Sequence, residues 1–222
     1  MTDDGATSLR ARAGRAAFIA RSRWRVRSDR KAIARLAGDD LRLNVGAGAN
    51  HLDGWVGLDL LPERPALGMD AARRWPVADG TVVAVNSEHL VEHLTPEGAR
   101  RYFAEAHRVL RPGGVIRTST PNLRGLCELL VEADPASLAV HREHGYAAAT
   151  HGEMVNNYFY SWDHRRIYDF ETLRHLLTEA GFDEVEEAPF GSSRHPLLDG
   201  IDRHDPDGLE RSVLCVDAVK RG

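Results

Sequence analysis

From Leu41 onward, short apolar runs alternate with longer stretches of mixed polarity. That alternation is the signature of a mostly parallel sheet whose strands are joined by helices. Seven runs have the length and β-branched content of strands: Leu41 to Val45, Val56 to Leu60, Ala66 to Met69, Val82 to Asn86, Val115 to Ser119, Glu184 to Ala188 and Ser212 to Val219. Two intervening stretches carry explicit helix signals. Pro96 to Leu110 is opened by Thr95, whose hydroxyl suits an N-cap, and by Pro96 at the first helical position, where a missing N–H costs nothing. Phe170 to Ala180 is opened by Asp169 and closed by Gly181. The predicted fold is α/β, a seven-stranded, mostly parallel sheet with helices on both faces.

Two segments depart from this alternation. Residues 1–38 carry Arg10, Arg12, Arg15, Arg21, Arg23, Arg25, Arg27 and Arg30, interrupted by Leu9, Phe18, Ile19, Trp24 and Val26. Good helix formers dominate there, and the reading is a basic helical extension with a solvated face rather than a grip on an anionic partner. The rest, 39–222, reads as one domain with an insert at about 133–167 that lacks clean periodicity and concentrates His, Tyr, Trp and Asn. Inserts and loops of that composition, like the one from Gly191 to Gly208, are where acceptor sites tend to lie.

Composition narrows the partners. A net charge of -4 gives no general surplus of cations for phosphates, so nucleic acid is not an expected partner. The two cysteines, Cys127 and Cys215, are far apart and outside any Cys-x-x-Cys spacing. They suggest neither a disulfide framework nor a thiolate zinc site. The apolar runs are strand-sized, no signal-like stretch is apparent, and the expectation is a cytoplasmic protein with no membrane partner. A homodimer is compatible with the sequence.

The strand ending at Val45 runs straight into Gly46-Ala47-Gly48, and a second strand reaches Asp59. Glycines there let the backbone turn tightly and approach a ligand, and an acid at the end of the next strand can accept hydrogen bonds from both hydroxyls of a ribose. A dinucleotide fingerprint would need a small residue at His51 and an acid farther on. No phosphate-cradling G-x-x-x-x-G-K-[ST] loop is present either. A nucleoside without phosphates fits better.

Several stretches together resemble the class I methyltransferases, whose sheet is Rossmann-like: Leu43-Asn-Val-Gly-Ala-Gly48, Gly57-Leu-Asp59, Asp70 followed by Trp75-Pro-Val-Ala-Asp79, Ser87-Glu-His-Leu-Val-Glu-His-Leu94, Arg108-Val-Leu-Arg-Pro-Gly-Gly114 and Leu176-Leu-Thr-Glu-Ala-Gly-Phe182. The resemblance implies S-adenosyl-L-methionine as cofactor. It places the methionine part against Asn44, Gly46, Ala47 and Gly48, the ribose on Asp59 beside Leu60, the adenine near Asp70, and the methionine end beside Ser87 and Glu88. One departure is visible: Gly48 to Asp59 is short, so the usual first crossover helix must be trimmed or absent.

His89-Leu-Val-Glu-His93 also satisfies H-x-x-E-H, the signature of inverted zinc peptidases. That chemistry would need the motif on a helix and a third ligand, for which Glu128, Glu132 and Glu143 are unselected candidates. The motif instead follows the strand Val82 to Asn86, so zinc peptidase chemistry is the lesser alternative, alongside a non-catalytic S-adenosylmethionine-binding module. Asp199, Asp202, His204 and Asp205 form an acidic loop that reads as a solvated turn, and no metal is assigned.

Methyl transfer to a hydroxyl needs alignment of the two partners and a base for the proton, and histidine is the natural base near neutral pH. His89, His141, His144, His151 and His164 are the candidates. His144 is the first choice, because Glu143 and Glu153 are near enough in sequence to orient or charge an imidazole, and His89 is the second. Glu153, Tyr160, Trp162 and His164 make a polar, aromatic surface suited to a small-molecule or oligosaccharide acceptor. The trimmed glycine loop, the His89 motif and Asn156-Asn-Tyr-Phe-Tyr-Ser-Trp-Asp-His164 resemble an actinobacterial group that includes a sugar 1-O-methyltransferase of methylmannose polysaccharide synthesis, which implies a mannoside acceptor.

Overall fold

The computed structural model describes residues 20, 24–203 and 209–222. Arg10, Arg12, Arg15, Arg21 and Arg23 of the basic extension, and His204 and Asp205 of the acidic loop, lie outside the described residues. A helix over 24–33 (α1) leads into β1 (Leu41–Val45), β2 (Val56–Asp59), β3 (Leu67–Gly68) and β4 (Val82–Glu88). A 3-10 turn over Val91–His93 precedes α2 (Pro96–Val109) and β5 (Leu110–Pro121). Then come α3 (Leu123–Glu132), α4 (Pro135–Glu143), α5 (His151–Tyr160), α6 (Phe170–Glu179), β6 (Asp183–Ala188) and, after a 3-10 turn over Glu210–Ser212, β7 (Val213–Val219).

The strands form one seven-stranded sheet in the order β3-β2-β1-β4-β5-β7-β6. β7 runs antiparallel to both neighbours and the remaining pairs are parallel. The chain starts at the centre with β1, winds outward through β2 and β3, and then crosses back to β4. This reversal between β1 and β4 is the switch point where α/β sheets open a crevice at their carboxyl ends. β4 as far as Ser87 and the second half of β5 are buried, as expected of strands covered on both sides. The edge strand β6 carries Asp183, Glu184, Glu186 and Glu187, charges that discourage edge-to-edge pairing.

The two faces of the sheet are covered differently. Against one face pack Ile33 at the end of α1, Tyr102, Phe103, Ala106 and Val109 of α2, and Leu173, Leu176 and Leu177 of α6. The i, i+3, i+4 spacing of the α2 residues turns one stripe to the sheet, and Thr95 caps the helix by accepting from Gly98 N at 3.1 Å. On the other face the apolar cluster of Val83, Ala84 and Val115 is closed by Leu52, Trp55, Leu197, Leu198 and Ile201, all of which lie in loops. Residues 49–55 contain no helix, so the crossover helix is absent as its short spacing predicted, and the stretch around Leu197 to Ile201 fills its place. Among the described residues, loops close this part of the second face.

That loop cover is fastened by charge. Arg117 on β5 is fully buried, donates from Nε and Nη2 to Asp202 at 2.9 and 2.7 Å, and from Nη1 to Asp217 Oδ1 at 2.9 Å. Its Nη2 also donates to Pro189 O at 2.8 Å, so the guanidinium is well satisfied. Burial disfavours its charge, yet the hydrogen bonds and the carboxylates around it prevail and raise its pKa. At the opposite edge α1 crosses β3: Asp29 accepts from Gly68 N at 2.8 Å, and a Cβ on Gly68 would come within 2.6 Å of the Arg25 backbone. Glycine is needed there for close approach.

The region 133–167 is not an irregular loop. α4 and α5 lie within it and, with α3, bury Leu126, Leu129, Leu138, Met154, Val155 and Tyr158 in a cluster of their own beside Leu209. Among the described residues no helix is long and apolar enough to cross a membrane.

Candidate functional site

The parallel order puts the ends of β3, β2, β1 and β4 side by side along one edge, and the residues matched to a nucleoside site sit there. Gly46 and Gly48 have φ of 77° and 51°, a region that side chains rarely adopt. Gly46 N and Ala47 N donate to Leu58 O at 2.8 and 3.2 Å, which ties the turn to β2. Asp59 completes the tie: Oδ2 accepts from Gly48 N at 3.0 Å and Oδ1 from Leu61 N at 2.8 Å. Its carboxylate therefore holds the glycine turn in place while its remaining lone pairs stay at the crevice edge. Leu60 is exposed next to it.

Behind the turn stands a polar strut. Asn44 is buried and donates to Asn50 O at 3.1 Å, and Asn86 donates to Asn44 Oδ1 at 3.1 Å. Asn44 thus shapes the loop from within rather than reaching outward. Ser87 is also buried, donating to Thr118 Oγ1 at 3.2 Å. Glu88 is half-buried and accepts from Arg203 N at 2.9 Å, drawing the far loop toward the end of β4. Asp70, after β3, accepts from Ala72 N at 3.0 Å and pairs with Arg73 at 3.0 Å.

Beyond β4 the backbone enters an unusual conformation. His89 has φ of 49°, and Leu90 then lies against Gly46, where an added Cβ would meet Leu90 Cβ at 3.0 Å. His89 Nδ1 is 2.8 Å from Glu92 Oε1, and Thr120 Oγ1 donates to Glu92 Oε2 at 3.0 Å. Glu92 is fully buried; burial alone would push its carboxyl up, but the hydrogen bond and charge of His89 hold it below the usual carboxylate range. Glu92 O also accepts from Arg165 N and Arg166 N at 2.7 and 3.2 Å, which brings the end of the insert onto this turn.

The insert contributes rings. His93 and His164 meet edge to face with centroids 4.9 Å apart, Trp162 lies 5.5 Å from His164, and Tyr146 lies 4.9 Å from Trp162. His141, fully buried, packs on Tyr146 and Tyr158 at 5.1 and 5.8 Å. Trp162 and Asp163 have φ of 56° and 60°, so three non-glycine residues with left-handed backbone gather around this pocket. Such strain persists only where surrounding structure holds it, and it concentrates at functional sites. His164 Nδ1 donates to Tyr158 O at 2.6 Å, and burial holds the His164 pKa below the ordinary imidazole value.

The structure joins His89 and His164 through Glu92, His93 and the backbone of Arg165, and sets Trp162 beside them. His144 is the C-cap of α4, exposed, with Nδ1 2.9 Å from Val140 O. Glu153 accepts from Ala149 N at 2.5 Å while Thr150 Oγ1 accepts from Glu153 N at 3.2 Å, so this acid closes the start of α5. Tyr160 is 82% exposed at the end of α5 and stacks loosely on Phe159. His151 Nε2 is 2.8 Å from Asp134 O. Sequence reasoning passed over Glu92 and Thr120 as partners of His89; their signal was a glutamate three residues on within an otherwise apolar turn.

The zinc peptidase geometry does not form. Its two histidines should share one α-helical face with an accessible glutamate, whereas here His89 ends a strand, Val91–His93 is a 3-10 turn and Glu92 is buried against His89 and Thr120. Of the suggested third ligands, Glu128 pairs with Arg124 and Glu132 with Arg211. In the acidic loop, Asp202 is bound to Arg117 and Asp199 accepts from Ser193 N.

Residues 56–118 match the model of the methyltransferase domain family. No curated protein matches the sequence. Among solved structures, a SAM-dependent methyltransferase from Archaeoglobus fulgidus aligns at 17% identity with a TM-score of 0.52, over 90% of this chain and 94% of that one. A Thermotoga maritima SAM-dependent methyltransferase, described as a possible histamine N-methyltransferase, aligns at 14% identity and a TM-score of 0.49 over 96% and 97% of the two chains. Phosphoethanolamine N-methyltransferase 2 of Haemonchus contortus, solved with S-adenosyl-L-methionine, aligns at 13% identity and a TM-score of 0.47 over 88% of this chain and 53% of that one. Residues 56–118 therefore match the methyltransferase domain family, and the chain as a whole takes the seven-stranded, Rossmann-like fold of class I methyltransferases.

Proposed function

We propose that the protein moves the methyl group of S-adenosylmethionine to a hydroxyl oxygen of a sugar, a mannoside or mannose oligosaccharide, with His89 taking the proton. The observation that carries this reading is the chain Thr120 to Glu92 to His89 at the end of β4. A buried carboxylate fixes the orientation of the imidazole and stabilises its protonated form, the logic of a supported general base. The acceptor oxygen attacks the methyl carbon in line, the carbon–sulfur bond breaks with its electron pair going to sulfur, and the hydroxyl proton passes to the imidazole. S-adenosylhomocysteine and a methyl ether result. The exposed face of Trp162 beside His164 suits a polyol, which offers apolar C–H faces and polar rims. The mannoside follows from the resemblance of the segments 89–93 and 156–164 to the sugar 1-O-methyltransferase group.

The base moves from His144 to His89 in this account because His89 has the buried carboxylate, whereas Glu153 is engaged at the start of α5. His144 is assigned to acceptor contact instead. Turnover and S-adenosylhomocysteine affinity of His89→Ala and His144→Ala, compared on one sugar acceptor, test the assignment. His89→Ala is expected to lower kcat by about 10² to 10⁴ and to lose the acid limb of the pH profile, with cofactor affinity retained. His144→Ala is expected to raise the acceptor KM with kcat nearly unchanged. A kcat near wild type in His89→Ala contradicts the assignment, and a large loss confined to His144→Ala returns the base to α4.

A further inference from the structure

We propose that Glu92, His93 and His164 form a binding site for a divalent transition-metal ion, zinc by the chemistry of its donors, beside the presumed base. One carboxylate oxygen and one ring nitrogen from each histidine lie within 4.8 Å of one another. Two imidazoles and a carboxylate are the ligand set of many zinc sites and of other first-row ions, and they are a poor choice for magnesium or calcium, which take oxygen. The site leaves at least one coordination position for water or a hydroxyl.

Two further features support it. His164 donates from Nδ1 to the Tyr158 carbonyl at 2.6 Å, which fixes the tautomer and leaves Nε2 with its lone pair, the arrangement that orients ligating histidines. Glu92 is braced from outside by Thr120 and His89, as ligating carboxylates are, and its buried negative charge sits against two rings able to share a cation with it. Ligands on one zinc ion lie about 2.0 to 2.2 Å from it, so the three side chains need to close by about 1 Å, within reach of small χ rotations. The ligands come from two segments, the turn after β4 and the loop after α5, whose backbones are already joined by Arg165 N to Glu92 O at 2.7 Å. The ligand set differs from the peptidase motif: His89 is an outer partner here and not a ligand.

The site's existence rests on donor geometry alone; its role, binding or acidifying an acceptor hydroxyl, rests on the proposed sugar O-methylation. The test therefore reads metal directly. Protein stripped with chelator and dialysed is titrated with Zn²⁺ by calorimetry and with Co²⁺ by visible absorption. One saturable equivalent is expected, with Co²⁺ ligand-field bands and displacement of Co²⁺ by Zn²⁺. His93→Ala and His164→Ala are each expected to weaken binding by at least about tenfold, the lower bound for losing even an outer partner. His175→Ala, exposed on α6, is the control for adventitious imidazole and is expected to leave it unchanged. Absence of stoichiometric binding to the wild-type protein overturns the proposal, whatever the variants do. So does binding that persists undiminished in both His93→Ala and His164→Ala, which would locate the ion elsewhere.

Discussion

The two sides of the crevice are built on different principles. On the proposed cofactor side, at the ends of β1 and β2, nearly every contact that shapes the site involves backbone: Gly46 N and Ala47 N on Leu58 O, Gly48 N and Leu61 N on Asp59, Asn44 on Asn50 O. On the proposed acceptor side, the insert of α4 and α5 is shaped by side chains, through ring contacts and caps at helix starts. A common ligand can be held by backbone geometry that few substitutions alter. A variable acceptor calls for side chains that change without disturbing the fold.

Substitutions on the two sides should then fail in different ways. The largest effect on stability is expected at the loop-covered face that supports both: Arg117→Met leaves Asp202 and Asp217 buried without their cation and should cost about 3 to 5 kcal/mol in denaturant unfolding. A loss under about 1 kcal/mol would show that the network is relieved by solvent and that the loop is not pinned by charge. On the proposed cofactor side, Asp59→Ala removes both the anchor of the glycine turn and the proposed ribose acceptor, and S-adenosylhomocysteine affinity should fall by about 1.5 to 3 kcal/mol. Unchanged affinity would place the ribose elsewhere and dissolve the contrast between the two sides.

How much of this was legible depended on which forces did the shaping. The centre of the sheet was readable because β1 and β4 are short, largely apolar and buried, and β1 falls at Leu41–Val45 as predicted. α2 and α6 were readable because Thr95 and Asp169 mark their starts and their apolar stripes face the sheet. α4 and α5 escaped notice because they are short and pack on α3 and each other, so no single stripe faces a sheet. Their signals were present in Asp134-Pro135, where Asp134 accepts from Ala136 N, and in Thr150 followed by Glu153. The loop cover of the second face was beyond reach of periodicity, since Leu198 and Ile201 meet Val83 and Val115 across more than eighty residues of chain only once the sheet has formed. In the site, the glycine turn and Asp59 could be read from spacing, whereas the pairing of Glu92 with His89 depends on a left-handed residue at the end of β4.

The smallest effect concerns acid. His107, on α2 against Phe182, has its pKa held below the ordinary imidazole value by burial and by Lys220. The neutral ring is therefore the native form, so its contribution is present above the unfolded pKa of about 6.5 and is lost as pH falls through the folded value. His107→Asn should flatten a shallow decline in melting temperature on the acid side of neutrality. An unaltered slope would assign that decline to other groups.

The central claim is methyl transfer to oxygen. Purified protein incubated with S-adenosylmethionine and a panel of mannosides, with products resolved by mass spectrometry and NMR, tests it most directly. The account predicts S-adenosylhomocysteine formed in step with a methyl ether on one sugar hydroxyl, and loss of both in His89→Ala. Tight binding of S-adenosylhomocysteine with no methyl ether on any sugar, or a methyl group found on nitrogen or carbon of another acceptor, would contradict it.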